Sequence, residues 1–162
     1  MTTSKRKPQP NPFEYGPYIQ VAAFCERVLQ EADGVVSLIR IVDVITNTQA
    51  GADPPKDMPP FHYALTLMMI LKSGRAKGRH TLTVEPELPS GEKKGETSVT
   101  VQLEGEGRGV NVGMKMDFEF TMEGLYWFTV KFDEDLVLTR LPLNVRYSRL
   151  AGGSTNRPPA TG

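Results

Sequence analysis

Gly124-Leu125-Tyr126-Trp127-Phe128-Thr129-Val130-Lys131-Phe132, followed by Asp133-Glu134-Asp135 and then by Leu136 to Tyr147, decides how the rest of the chain is read. Two alternating runs rich in aromatic and β-branched residues are joined by a short acidic connection, the pattern of a β-hairpin. The run before it alternates most cleanly. Val110, Val112, Met114, Met116, Phe118 and Phe120 fall on one side, and Asn111, Lys115, Asp117 and Glu119 on the other. One face is dry and one wet, as in a strand of an antiparallel sheet that covers a core.

Further runs extend the pattern outward. Tyr18 to Gln30 and Val35 to Thr46 flank Ala32-Asp33-Gly34, and Asp-Gly between apolar runs predicts a turn between antiparallel strands. The second run carries Val36, Leu38, Val42 and Val44 on one face and Val35, Ile39, Ile41 and Ile45 on the other, which predicts a central strand covered on both sides. Asn47 to Pro60, with Pro54, Pro55, Pro59 and Pro60, reads as a long exposed loop. Phe61 to Lys72 competes between helix and strand; its period of two and the preceding proline pair favour strand. Gly78 to Glu85 is a strand ending at Pro86. Thr97 to Glu104 is another, with Val99, Val101 and Leu103 inward, broken by Gly105, Gly107 and Gly109. The expectation is an all-β, antiparallel two-layer β-sandwich of about eight strands, immunoglobulin-like or C2-like, over residues 16–150. Residues 1–15 and 151–162 lack apolar periodicity and are expected to be disordered tails.

Composition excludes several classes of partner. The 162 residues are 39% hydrophobic and 23% charged, usage suited to one globular domain. Lys and Arg number 19, as do Asp and Glu, so no net field concentrates nucleic acid or an anionic membrane. Cys25 is the single cysteine, which rules out an intramolecular disulfide and suits a reducing compartment. Met1 to Pro17 holds Lys5-Arg6-Lys7 without an apolar segment behind it, so no secretory leader is expected. Ala64 to Leu71 falls far short of the roughly 20 residues that span a bilayer. The expected location is the cytoplasm.

Candidate chemistry is sparse. Cys25 shares an alternating side with Val21 and Ala23 and reads as a core thiol. His62 and His80 are the two histidines and share no local motif; a three-histidine metal site is therefore impossible. Gly105-Glu106-Gly107-Arg108-Gly109 and Gly91 to Thr97 fail the spacing of phosphate-binding loops and read as turns. Asp133-Glu134-Asp135 is the one dense acidic cluster; a hairpin corner competes there with a calcium site, which Asp53 or Asp57 could supplement. Arg40, Asp43, Glu26 and Arg27 interrupt apolar faces and require pairing, or line a polar patch between the sheets. Tyr126 and Trp127 point to opposite faces, so one of them needs a cover or a partner.

Cys25-Glu26-Arg27-Val28, Asp33-Gly34, Ser37-Leu38-Ile39-Arg40 with Asp43, Pro89-Ser90-Gly91, Gly124-Leu125-Tyr126 and Leu141-Pro142-Leu143-Asn144-Val145, taken in order, resemble a family of uncharacterised bacterial β-sandwich proteins, a domain of unknown function. The resemblance implies the fold and no catalytic, cofactor or metal residue. The expected role is a non-catalytic protein-interaction or scaffolding module with a protein partner, using the Gln49–Pro60 loop and an edge strand. Self-association is left open. The rivals are a small-ligand, sugar or calcium-binding sandwich using Asp133 and Asp135, and a hydrolase or isomerase using His62 or His80.

Overall fold

A computed structural model describes residues 15–151. The expected tails fall outside the described residues, apart from Tyr15 and the backbone of Ala151. Nine strands follow in order: β1 (Tyr18–Gln30), β2 (Val36–Ile41), β3 (Val44–Gly51), β4 (Phe61–Lys72), β5 (Lys77–Glu87), β6 (Thr97–Glu104), β7 (Gly109–Phe120), β8 (Gly124–Phe132) and β9 (Leu136–Ala151). They form two sheets, β2-β1-β4-β7 and β3-β9-β8-β5-β6. The chain is thus the two-layer all-β sandwich that its alternation predicts. Every pairing is antiparallel except β3 with β9, which is parallel from Val44↔Asn144 to Gly51↔Ala151.

The inner faces close on one seam of aromatic rings. Phe24 meets Phe128 edge-on at 4.8 Å, Phe118 meets Phe128 at 5.6 Å, and Phe120 meets Tyr126 at 5.0 Å and 87°. Phe24, Phe118 and Phe120 come from the four-stranded sheet and Tyr126 and Phe128 from the five-stranded one, so these contacts join the two layers. Offset and edge-on ring contacts contribute beyond the area they bury. Leu67, Met69, Leu71, Leu82, Val84 and Leu143 fill the remaining space and are fully buried. The Tyr126 hydroxyl stays satisfied inside this core: it donates to Met122 O at 2.9 Å and accepts from Met122 N at 3.2 Å. A tyrosine bonded back to the backbone a few residues upstream is the corner found in immunoglobulin-type sandwiches.

The largest departure from expectation lies at residues 36–51. The run read as one central strand is two edge strands, β2 on one sheet and β3 on the other. Arg40 has φ 54°, and Val42-Asp43 leave the ladder before β3 begins. Apolar residues on both sides of a run are also what a strand produces when its first half covers one sheet and its second half the other. Two smaller departures have similar causes. β5 runs through Pro86 to Glu87 because β6 pairs no further than Val84↔Thr97, so the missing proline N–H breaks no ladder bond on that side. The 52–60 loop is anchored rather than loose: Met58 is buried, Asn47 Nδ2 donates to Pro59 O at 3.4 Å, and Tyr147 Oη donates to Pro55 O at 2.8 Å.

Candidate functional site

The acidic corner is built as a brace. Asp133, at φ 51°, turns the chain between β8 and β9; its Oδ1 accepts from Thr81 N at 3.1 Å and its Oδ2 lies 3.0 Å from His80 Nδ1. The Asp133 N–H donates in turn to Thr81 O at 2.8 Å. His80 Nε2 lies 3.0 Å from Lys77 O, and the imidazole stacks on Phe132 at 4.6 Å. Both ring nitrogens therefore face fixed acceptors. The Thr81 N–H, with His80 second, holds the Asp133 carboxyl below its ordinary value. Both oxygens of Asp133 are thereby engaged, and no group of three or more His, Cys, Asp or Glu among the described residues is placed to hold a metal ion.

Beside this corner an open groove of about 970 Å³ crosses the outer face of the five-stranded sheet, lined by Thr81, Thr83, Glu85, Lys131, Asp133 and Leu136 among others. Several of its polar groups are paired. Lys131 Nζ donates to Glu85 Oε1 at 2.5 Å, Lys93 Nζ reaches the other oxygen at 3.5 Å, and the Thr83 and Ser98 hydroxyls meet at 2.9 Å. The hydrogen bond from Lys131 is the main reason the Glu85 carboxyl sits below its ordinary value. Farther along the same face Trp127 is half-buried beneath the Arg140 guanidinium, 4.8 Å from the ring centre, and Arg140 pairs with Glu87 at 3.2 Å. Among the described residues, an arginine covers this aromatic.

The depressed carboxyls carry a pH signature. A group whose pKa is lower in the folded chain stabilises above its unfolded value, near 4, and loses that contribution as pH falls through the folded value. Asp133→Asn keeps a residue tolerant of positive φ and one acceptor oxygen while removing the charge. It is expected to cost about 1 kcal/mol at pH 7, discounted because the side chain is half exposed, and less in acid, once the wild-type carboxyl takes up its proton at its lowered value. Urea unfolding of both proteins at neutral and acid pH reads the difference directly; equal gaps at both would deny the charge its part.

The remaining candidates are separated. His62 lies on β4 in the four-stranded sheet, 3.5 Å from Asp117 and exposed, whereas His80 lies on β5 in the other sheet. Cys25 is fully buried, its thiol donates to Thr66 O at 3.6 Å, and burial pushes its pKa up, away from the nucleophilic thiolate. Arg40 and Glu26 pair at 3.1 Å, with Arg40 mostly exposed, and Tyr63 Oη donates to Glu26 at 3.2 Å. The interrupting charges therefore sit at the sheet margin, and the polar patch between the sheets does not form. Desolvation first, and Glu26 second, raises the Tyr63 pKa.

One surface was missed by the sequence reading. Among the described residues β2 pairs only with β1, so its outer row of N–H and C=O groups has no strand partner there, and Ile39 and Ile41 on it are 39% and 64% exposed. Val35 and Leu29 extend the apolar area around the β1–β2 turn. The available signal was Arg40 followed by Asp43, two charges that a doubly covered strand would not hold.

A family model described as a family of unknown function (DUF6941) matches residues 20–146. Among solved structures, the chain is similar to an immunoglobulin-like protein from Pseudomonas aeruginosa at 14% identity, over 82% of this chain and 98% of that one, with a TM-score of 0.37. At that score the likeness carries no argument, and the fold rests on the strand order and the aromatic seam. No curated protein matches the sequence.

Proposed function

We propose, for a chain that belongs to the DUF6941 family of unknown function, that it is a non-catalytic interaction module which takes up an extended segment of a protein partner along β2. One observation carries this reading: β2 is an edge strand that combines an open backbone row with exposed isoleucines. Soluble proteins normally blunt such edges, and a segment added as a further strand would gain main-chain hydrogen bonds for affinity and alternate side-chain contacts for specificity. The other edges are less suited. The outward residues of β6, among them Ser98, Thr100, Gln102 and Glu104, are polar, as are Asn111, Lys115, Asp117 and Glu119 of β7, and β3 presents Thr46 and Thr48. A bacterial, cytoplasmic setting belongs to the same proposal, and the free, buried Cys25 suits a reducing compartment.

The test pairs partner capture with stability. Ile39→Lys/Ile41→Lys changes side chains that are already exposed, so melting is expected to shift by no more than about 3 °C. Quantitative affinity purification from the native cell is expected to lose, by more than about tenfold, a protein retained by the wild type. Identical capture by both proteins would refute β2 as the site.

A further inference from the structure

We infer that the outer face of the four-stranded sheet is a homodimer interface, with a second copy of this chain seated over β4 about a two-fold axis parallel to that strand. The register places side chains on this face in rows. Across β1, β4 and β7, the strands that overlap in such a pair, Val21, Ile70 and Asn111 make one row, Ala23, Met68 and Gly113 the next, and Cys25, Thr66 and Lys115 a third, with β2 outside the overlap. Carrying the β1–β4 register two residues further sets Arg27 beside Ala64, and Ala64 pairs with Asp117. The Tyr63–Glu26 hydrogen bond shows that β1 still lies alongside β4 at this point.

The middle of this outward face is apolar where an exposed sheet face would ordinarily be polar. Met68 is 2% exposed and Cys25 fully buried although both point away from the sandwich core; Met68 leans over Gly113, its sulfur 3.6 Å from where a Cβ would stand. Small side chains at Ala23, Ala64 and Gly113 flatten the surface, so a second sheet can approach to about 10 Å.

Charge decides which occupant fits. Arg27 is exposed and makes no ion pair among the described residues, while Asp117, two strands away in the same row, has only the exposed His62 at 3.5 Å. Rotation about an axis along β4 carries β1 over the partner copy's β7 and leaves each row at its own height. Arg27 of each copy then meets Asp117 of the other, twice, on either side of Ala64. The face is its own complement, the requirement of an isologous contact. Lys115 falls over Cys25, where its aliphatic stem can lie along this row and its ammonium reach solvent.

Sedimentation velocity of the full chain at about 100 μM, where even a modest specific interface associates, tests the arrangement. The wild type is expected to be a dimer. Arg27→Asp and Asp117→Arg, each placing like charges opposite one another, are expected to weaken it more than about tenfold, and Arg27→Asp/Asp117→Arg to restore it. A monomeric wild type, a dimer indifferent to the single changes, or a double variant that stays monomeric would each overturn the inference. This surface is distinct from the β2 edge of the proposed function, and the experiment separates the two. Ile39→Lys/Ile41→Lys should remain dimeric; if it dissociates, the copies meet at β2 and the β4-centred placement is wrong. A monomer whose partner capture still depends on Ile39 and Ile41 defeats the dimer alone.

Discussion

Phe128→Ala is expected to lower the unfolding free energy by about 4 kcal/mol, the upper part of the range for large-to-small core changes. Phe128 is 1% exposed and stands where the sheets meet, edge-on to Phe24 at 4.8 Å and to Phe118 at 5.6 Å. Truncation removes the ring's transfer free energy and leaves a cavity that neither sheet can close, because Phe24 and Phe118 are fixed by their own ladders. Neighbouring Tyr126 is held by two bonds to Met122 and cannot swing in. Urea unfolding should show the lower midpoint at an unchanged slope, and melting a fall of roughly 10–15 °C. A loss below about 1 kcal/mol would mean that the aromatic seam does not join the layers.

Gly74→Ala is expected to cost about 3 kcal/mol, although it adds a single methyl group to a turn. Gly74 has φ 54°, and a Cβ there would stand 2.6 Å from both the nitrogen and the Cα of Gly16. Backbone atoms cannot step aside as a side-chain tip can. The surrounding knot is tight: Ser73 is 1% exposed and donates to Arg108 O through both its N–H and its hydroxyl, each at 2.8 Å, while Gly107 N–H donates to Gly74 O at 3.3 Å. The strain and the displaced segment before β1 add to the left-handed backbone cost of roughly 1 kcal/mol. Gly51→Ala is the control. Nothing lies within 4 Å of its added carbon, and a change within about 0.5 kcal/mol is expected. Equal behaviour of the two variants in thermal melts would dismiss the close approach.

The two proposed surfaces make a coherent device. A dimer centred on β4 leaves β2 of each copy at opposite outer margins, two strands from the axis. Such a dimer presents two edges at a fixed separation, and a partner with two matching segments would gain from the second engagement without any new contact. That is the arrangement a scaffolding protein requires.

Much of this architecture was legible in the residues. The bounds of Phe61–Lys72 and Thr97–Glu104 coincide with β4 and β6, and the inward set from Val110 to Phe120 packs against the core as its alternation requires. Asp33-Gly34 does join two paired strands, with Gly34 at φ 84°. The acidic corner was correctly placed between β8 and β9, yet its purpose was hidden, because Thr81 and His80, the groups that engage Asp133, lie 52 and 53 residues away. The exposed edge at β2 was hidden for a related reason: Ile39 and Ile41 look the same in sequence whether or not another strand lies beyond them.

Alternation with a period of two follows from the geometry of a single strand, so the chain's own order of residues determined that this protein is built of strands, which side of most of them is dry, and where the turns fall. The partner of each strand is a property of segments far apart in the chain. The departure of the 36–51 run from one sheet to the other, the parallel pairing of β3 with β9, the open row along β2 and the placing of Arg27 and Asp117 in one row of one face were decided only by tertiary structure. Non-local pairing selects among registers that satisfy the same local pattern equally well, and the inner aromatic seam makes one of them the most stable.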